Sequence, residues 1–322
     1  MKVTLDLSEL LEQGKISSAE AERLQALAAP GTSALGINIL IGFGVVAVAA
    51  GAVALAPLPS TAAALGAAIF VGGLLITLGR SVQWSLLGQI CLIVGALMFT
   101  GGVVALGEGS LASLLIVTVA LFCGAVAARS SLLMAGAVLS LAACFGARTG
   151  YSHATYMLVV YEPTVTVVVF AALALAAYQV SRRVAAGYER IAIAAARTAV
   201  LLVNFGFWIG SLWGDPLRLP RALASGDLSI LDQRIGGEPV IPAFAFSIVW
   251  ALALLAVAVW GARVNRRWVV NIAAVFGAIH FYTQWFERLG ANAGSVLLGG
   301  LLMLGFGFGL WTFNRRAEAK IA

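Results

Sequence analysis

The sequence predicts an all-α protein, a polytopic bundle of transmembrane helices. The composition is the first reason: 61% of the 322 residues are hydrophobic, only 11% are charged, and the mean hydropathy is +0.99. The second reason is that long apolar segments cover most of the chain between Leu35 and Phe313, with short connections. About a quarter of the residues in an average soluble chain are charged. A soluble domain could not bury this much apolar surface, so that class is excluded.

About ten segments approach the roughly 20 apolar residues that cross a bilayer core. Their apolar runs are continuous, which favours helices over barrel strands that alternate apolar and polar residues. We predict a small helical hairpin at residues 1–30, a helix bundle at 35–314 and a short tail at 315–322. The predicted spans are Leu35–Ala56, Thr61–Gly79, Trp84–Leu106, Ser110–Ala128, Ser131–Gly146, Thr164–Val180, Ile191–Trp213, Ile241–Ala262, Trp268–Phe286 and Gly294–Phe313.

The basic residues of the connections predict the orientation, because loops on the cytoplasmic side carry an excess of Lys and Arg. With a cytoplasmic N-terminus, fourteen basic residues lie inside and five outside, and Arg197 falls within a span. We therefore expect an inner (plasma) membrane protein with both termini in the cytoplasm. The inside residues are Lys2, Lys15, Arg23, Arg80, Arg129, Arg182, Arg183, Arg190, Arg263, Arg266, Arg267, Arg315, Arg316 and Lys320; the outside residues are Arg148, Arg218, Arg221, Arg234 and Arg288.

The first 30 residues have the pattern of two short helices. Gly14 stands where a helix C-terminus favours a residue that tolerates positive φ, and Ser17 with Glu20 has the spacing of a capping box that opens a second helix. A hairpin of this length is too small to be stable alone. It either docks a protein partner or folds back on the inner loops.

Polar residues in the ninth predicted span form the first candidate site. His280, Gln284 and Glu287 recur at helical spacing and so share one face. Ionisable residues inside a membrane are costly and often functional, and histidine is the side chain that titrates nearest neutral pH. These residues could bind a ligand or form a proton path. In the alternative interpretation, His280 bonds a neighbouring helix and Glu287 marks the outer membrane surface.

The seventh predicted span adds Arg197 and Asn204, which lie seven residues apart on one stripe. Arg197 could pair with an anionic group of a substrate. It could equally extend from the helix start to the cytoplasmic interface, as long basic side chains do.

Two outer connections are longer than tight turns. The first, Thr149–Pro163, is rich in tyrosine, and we expect it to lie at the membrane interface. The second, Gly214–Val240, mixes charges with leucines and predicts a short amphipathic helix on the membrane. It could form an outer binding cap or be an ordinary connector.

Other chemistry has little support in the sequence. The chain contains no phosphate-binding GxxxxGK[ST] loop, no HExxH and no GxSxG. Only 2 histidines are present, and Cys91, Cys123 and Cys144 all fall in predicted spans. We expect no enzyme activity, no cofactor and no metal site. The net charge of +6 is explained by the inner loops, so nucleic acid is not an expected partner.

Two stretches resemble a known family. The head segment LSELLEQGKISSAEAERL and the C-terminal HFYTQWFERLGANAGSVLLGGLLMLGFGFGLWTFNRR are similar to the ends of an uncharacterised family of bacterial multi-pass membrane proteins. The resemblance implies a bundle of spans behind a short helical head, and it implies no activity. The C-terminal residues that carry it are Phe281, Tyr282, Trp285, Gly299, Gly300, Arg315 and Arg316.

Three functions remain open at this point. A transporter or permease for a small solute, ion or lipid is favoured by the number of spans, the polar stripes and the glycine-rich helices. A non-catalytic scaffold that docks a partner through residues 1–30 is the alternative. An intramembrane enzyme with Glu162, Arg197 or Glu287 at a groove has the weakest support. Glycine-rich helix faces would also allow a homo-oligomer.

Overall fold

The structure is a computed structural model that describes residues 10–11, 14–18, 20–21, 32–79, 82–152, 155–225, 239–264 and 266–319. The chain divides into two compact units, unit 1 at Met1–Ser113 and unit 2 at Leu114–Ala322. The helices of the described part are α1 Thr32–Leu55, α2 Pro59–Leu78, α3 Ser85–Leu106, α4 Leu111–Ala128, α5 Ser131–Cys144, α6 Pro163–Ser181, α7 Ala186–Trp213, α8 Arg218–Ser225, α9 Ala243–Arg263, α10 Arg267–Leu289 and α11 Ala293–Ala319.

The predicted all-α membrane bundle is confirmed, but the number of spans is eight instead of about ten. In the described residues, α1, α2, α3, α4, α6, α7, α9 and α10 are long and apolar enough to cross a membrane. The predicted fifth span is the 14-residue α5, about 21 Å long, which is shorter than a hydrocarbon core of about 30 Å. The apolar part of α11, Ala293–Gly309, is also too short to meet the same length criterion.

A β-hairpin stands where an interfacial segment was predicted. Gly146 has φ +84° at the end of α5, and the chain then forms strand β1 at Ala147–Ser152 and strand β2 at Thr155–Val160. The strands are antiparallel, and Ala147 pairs with Val160. Hydropathy missed the hairpin because it reports how apolar a segment is and not where its backbone leaves the helix. His153 lies outside the described residues.

Capping residues of the predicted head are confirmed where the structure describes them. Gly14 has φ +65°. The backbone N–H of Ser17 donates to Glu20 Oε2 at 2.9 Å, and the Glu20 N–H donates to Ser17 Oγ at 3.3 Å. These reciprocal bonds form the expected capping box. Most of residues 1–30 lie outside the described part, so the hairpin and its partner stay predictions.

Unit 1 is held together by the close approach of α2 and α3. Gly95 of α3 faces the backbone of Phe70 on α2, and a Cβ added at Gly95 would lie 2.3 Å from the Phe70 nitrogen. Asn38 joins α1 to this pair: its Nδ2 donates to the Gln83 carbonyl at 2.7 Å, and its Oδ1 accepts from the Leu87 N–H at 3.2 Å. Small residues and interhelical hydrogen bonds of this kind are the usual means of helix association in lipid.

Unit 2 packs around a cluster of aromatic residues. The helices α6 and α7 pack together, as do α9 and α10, and α7 contacts both α5 and α9. The aromatic cluster contains Phe207 of α7, Phe246 and Trp250 of α9, and Phe276 of α10. Large aromatic rings contribute most of the buried area in such a core, and they position the polar groups described below.

We predict that Gly95→Ala destabilises the protein by about 2–3 kcal/mol, because the added methyl group forces the backbones of α2 and α3 apart. The matched control is Gly101→Ala on the same helix. A Cβ at Gly101 has nothing within 4 Å, so this variant should be neutral or more stable by up to about 1 kcal/mol. Thermal unfolding of the detergent-purified variants measures both effects. Equal stability of the two variants would contradict the close packing.

Candidate functional site

The main polar cluster of unit 2 joins three helices through Trp250. This tryptophan on α9 is 1% exposed, and its Nε1–H donates to Oδ1 of Asn204 on α7 at 2.9 Å. The Nδ2 of Asn204 donates to the Val200 carbonyl at 2.8 Å. The imidazole of His280 on α10 meets the Trp250 ring edge-on, with 4.8 Å between ring centroids. The structure therefore brings the predicted residues Asn204 and His280 into contact with one indole, that of Trp250.

Two polar atoms of this region are buried without a hydrogen-bond partner among the described residues. They are Nδ1 of His280 and Nε2 of Gln284, which stands one turn further along α10. Thr283 beside them is engaged, because its Oγ1 accepts from the Trp208 Nε1–H at 3.0 Å. An unpaired polar atom costs several kcal/mol in hydrocarbon. Nδ1 of His280 and Nε2 of Gln284 are therefore the atoms of this cluster that a ligand group could bind.

Arg197 and Glu287 do not join this cluster. The guanidinium of Arg197 lies over the ring of Trp268, 5.2 Å from its centroid, and the side chain is exposed. Trp268 is twelve residues from His280 on α10, about 18 Å along the helix. Glu287 is exposed in the last turn of α10. Both positions fit the alternative of side chains at the membrane surfaces.

An apolar groove runs along α10 between α9 and α11. Its volume is about 760 Å³, within the range of about 300–1,000 Å³ that is usual for small-molecule sites. Aliphatic side chains such as Leu254 and Leu301 line it. Gly277 and Gly305 also line it, and a Cβ at either position would meet nothing within 4 Å. His280 is the polar side chain of the lining and stands at one end. This end is about 20 Å from Arg267, the first residue of α10, and so lies deep in the predicted membrane.

Asn204 lines a different space. It borders a cavity of about 220 Å³ among α6, α7, α9 and α10, and Trp250 also lines it. Asn204 and His280 therefore line two different spaces, and Trp250 lines the one that Asn204 borders. A further groove of about 480 Å³ lies among α4, α5, α6 and α7, with Thr118 and Tyr188 in an otherwise apolar lining.

A second polar site was missed as a whole by sequence reasoning. Glu162, the N-cap residue of α6, is 5% exposed, and Asp215, just after α7, is fully buried. The Thr164 N–H donates to Asp215 Oδ2 at 2.7 Å, and the Leu219 N–H of α8 donates to Glu162 Oε1 at 3.0 Å. The sequence alone offered Glu162 only as one acid that an intramembrane enzyme could use, and Asp215 only as one charge of the mixed connection Gly214–Val240. Nothing in the spacing of residues 53 positions apart indicated that they meet.

The hydrogen bonds of Glu162 and Asp215 also hold the longer outer connection, Gly214–Val240, in place. Its predicted amphipathic helix is present as α8, and residues 226–238 lie outside the described part. The start of α8 is hydrogen-bonded to the N-cap residue of α6. Asp215 also pairs with Ile241 in a β-bridge, which closes the connection at its base. This segment is therefore docked on unit 2 and does not merely rest on the membrane.

Within the described residues, no group of three or more His, Cys, Asp and Glu side chains has a geometry that could hold a metal ion. No family model, curated protein or solved structure matches the chain. The resemblance to the uncharacterised membrane family therefore stays a prediction, and the function must be argued from the geometry alone.

We predict that the Trp250–Asn204 hydrogen bond contributes about 0.5–1.5 kcal/mol, the range measured for interhelical bonds in membranes. A double-mutant cycle with Asn204→Ala and Trp250→Phe should give this coupling in thermal unfolding. Trp250→Phe removes the indole N–H and keeps an aromatic ring in the cluster. The control cycle pairs Trp250→Phe with Thr118→Ala, whose hydroxyl bonds Ser140 at 3.0 Å. That cycle should be additive, and a coupling of zero in the first cycle would contradict the assigned role of the bond.

Proposed function

We propose that this multi-pass membrane protein is a permease for a small amphipathic solute or lipid, which binds in the groove of α9, α10 and α11. The observation that carries the proposal is the combination of the 760 Å³ apolar groove with the His280 imidazole at its deep end. Binding sites for small molecules are mostly apolar and hold a few polar groups that orient the ligand. This groove has that composition.

The lining defines the ligand chemistry. Ala, Leu, Val and Phe side chains would contact an apolar body, and the glycines leave room for it against the helix backbone. A neutral imidazole offers one donor and one acceptor nitrogen. A hydroxyl, amide or carboxyl group on the ligand would bond the imidazole of His280. Its Nδ1 is buried without a hydrogen-bond partner in the described residues, so a ligand bonds that nitrogen only after the ring turns toward the groove. The 480 Å³ groove has no comparable histidine and is the weaker candidate.

The proposed location is the inner (plasma) membrane of the cell, with both termini in the cytoplasm. The excess of basic residues in alternate connections supports this orientation, which holds for ten crossings and so requires the shorter helices α5 and α11 to cross the bilayer as well. Arg197 also supports it, because its position over Trp268 near the start of α10 is that of a basic side chain at a membrane interface.

We predict that filling the groove abolishes ligand binding. Gly305→Leu and Gly277→Leu place a side chain into the groove, where a Cβ meets nothing within 4 Å. The assay is thermal unfolding of detergent-purified protein with oleate, a lysophosphatidylcholine or a monoacylglycerol. A probe that binds the native state stabilises it, by about 2.7 kcal/mol at 100 times Kd. We expect this stabilisation in the wild type and its loss in both variants.

Gly44→Leu on α1 is the control, because its Cβ is equally unobstructed and Gly44 does not line the groove. It should respond to the probes like the wild type. His280→Leu should weaken the response to these polar-headed probes. Uptake of a labelled hit into proteoliposomes then tests transport itself. If no probe stabilises the wild type, the groove is not a site for lipid-like ligands, and the scaffold alternative is favoured.

Labelling of single cysteines, in a chain lacking Cys91, Cys123 and Cys144, tests the predicted orientation. A membrane-impermeant maleimide on intact cells should label Ala291→Cys, between α10 and α11, and should not label Lys15→Cys. Both positions are exposed in the structure, so differences in local burial do not explain the result. Permeabilised cells should give labelling at both. The reverse pattern would contradict the cytoplasmic N-terminus.

A further inference from the structure

The buried carboxyl groups Glu162 and Asp215 fasten the connection after α7 to the start of α6. Asp215 accepts from the Thr164 N–H of α6 and, at 2.7 Å, from the Leu217 N–H. Glu162 accepts from the Leu219 N–H at the start of α8. We call residues 214–225 the clamp segment. Two of these bonds, from Thr164 to Asp215 and from Leu219 to Glu162, tie it to α6, and the Leu217 bond lies within it.

The two carboxyl groups are not equivalent. Each oxygen of Asp215 accepts one backbone N–H bond. Glu162 has one such bond, and its second oxygen, Oε2, is buried without a hydrogen-bond partner among the described residues. The charged groups that act on Glu162 are Asp215 and Arg218. If both acids were ionised, two buried negative charges would face this one guanidinium, and burying an unpaired charge is costly.

We propose that Glu162 is a proton-binding site, and that its bound proton keeps the clamp segment closed on α6. The site is independent of the groove and of the proposed permease activity. Loss of the proton leaves an ionised oxygen that no described residue pairs. Hydration of that oxygen requires water to reach it, and the contact that must then loosen is the one between Leu219 and Glu162.

The donor set favours a proton over a metal cation. Each Asp215 oxygen already accepts one N–H bond, which leaves at most one lone pair on each for a metal ion. The hydroxyls of Thr164 and Thr166 are also buried, and the described part of the chain offers them no hydrogen-bond partner. They stand two residues apart on α6, however, about 200° around the helix axis. They therefore leave opposite sides of the helix and do not form one ring of ligands with Glu162.

The direction of the pKa shift of Glu162 agrees with a bound proton. Burial raises the pKa of the Glu162 carboxyl above its ordinary value of 4.5, and the Asp215 charge raises it further. The Leu219 N–H and Arg218 act in the opposite direction. The folded state then binds the proton more tightly than the unfolded state does. This contribution to stability is complete below pH 4.5 and is lost as the pH rises through the raised pKa.

The test compares wild type with Glu162→Gln in the full-length, detergent-purified protein. Glutamine keeps an oxygen for the Leu219 N–H and has no ionisable proton. Thermal unfolding should show the wild type losing stability relative to Glu162→Gln as pH rises from 4.5. Hydrogen exchange of the clamp segment, corrected for the intrinsic rate, should rise with pH in the wild type and stay flat in Glu162→Gln. Glu189→Gln, at an exposed glutamate in the first turn of α7, should behave like the wild type.

Several results would overturn the proposal. One is a pH dependence of clamp exchange in Glu162→Gln equal to that of the wild type. Another is a wild-type clamp whose corrected exchange does not change with pH, a measurement that needs no variant to fold. A third is stabilisation of the wild type by sodium or calcium at constant pH, lost in Glu162→Gln, which would make the site a metal-cation site.

Discussion

The constraint on which this structure depends is that hydrocarbon offers no hydrogen-bond partners. Every polar group that a membrane-spanning helix carries into the bilayer must be paired within the protein or left at a cost. Asn38 pairs with the backbone at Gln83 and Leu87, and Asn204 pairs with Trp250 and with its own helix. These few bonds determine which helix faces meet. One polar atom on His280 and one on Gln284 have no such partner among the described residues. Because an unpaired polar atom is costly in hydrocarbon, these two atoms indicate a ligand.

The two units satisfy this constraint with different materials. In unit 1, glycines let α2 and α3 approach until their backbones are in contact. In unit 2, Phe and Trp rings of α7, α9 and α10 pack against one another. The groove along α10 is lined instead by mostly small and aliphatic residues of α9, α10 and α11, where glycines leave room beside the backbone.

Several local features could be predicted from the sequence. The capping box of Ser17 and Glu20, the positive φ at Gly14 and the helix start after Glu162 depend on neighbouring residues alone. The apolar segments depend only on composition over a window of about 20 residues. His280 and Asn204 were identified because polar residues in spans are few. Two predictions were wrong for physical reasons. The helix α5 is apolar but too short to span, and the tyrosine-rich segment after Gly146 forms a hairpin only because its two strands pair.

By itself the sequence determined that this chain spans a membrane as a helix bundle and which few polar residues it carries there, because the burial cost of a residue depends on its own chemistry. The tertiary structure adds that Asn204 and His280 both contact the indole of Trp250 and that Arg197 lies apart from them, over Trp268. It also shows that Glu162 and Asp215 meet where the clamp segment joins α6. These relations join residues that are tens of positions apart. They depend on helix packing, which sequence spacing along one helix does not reveal.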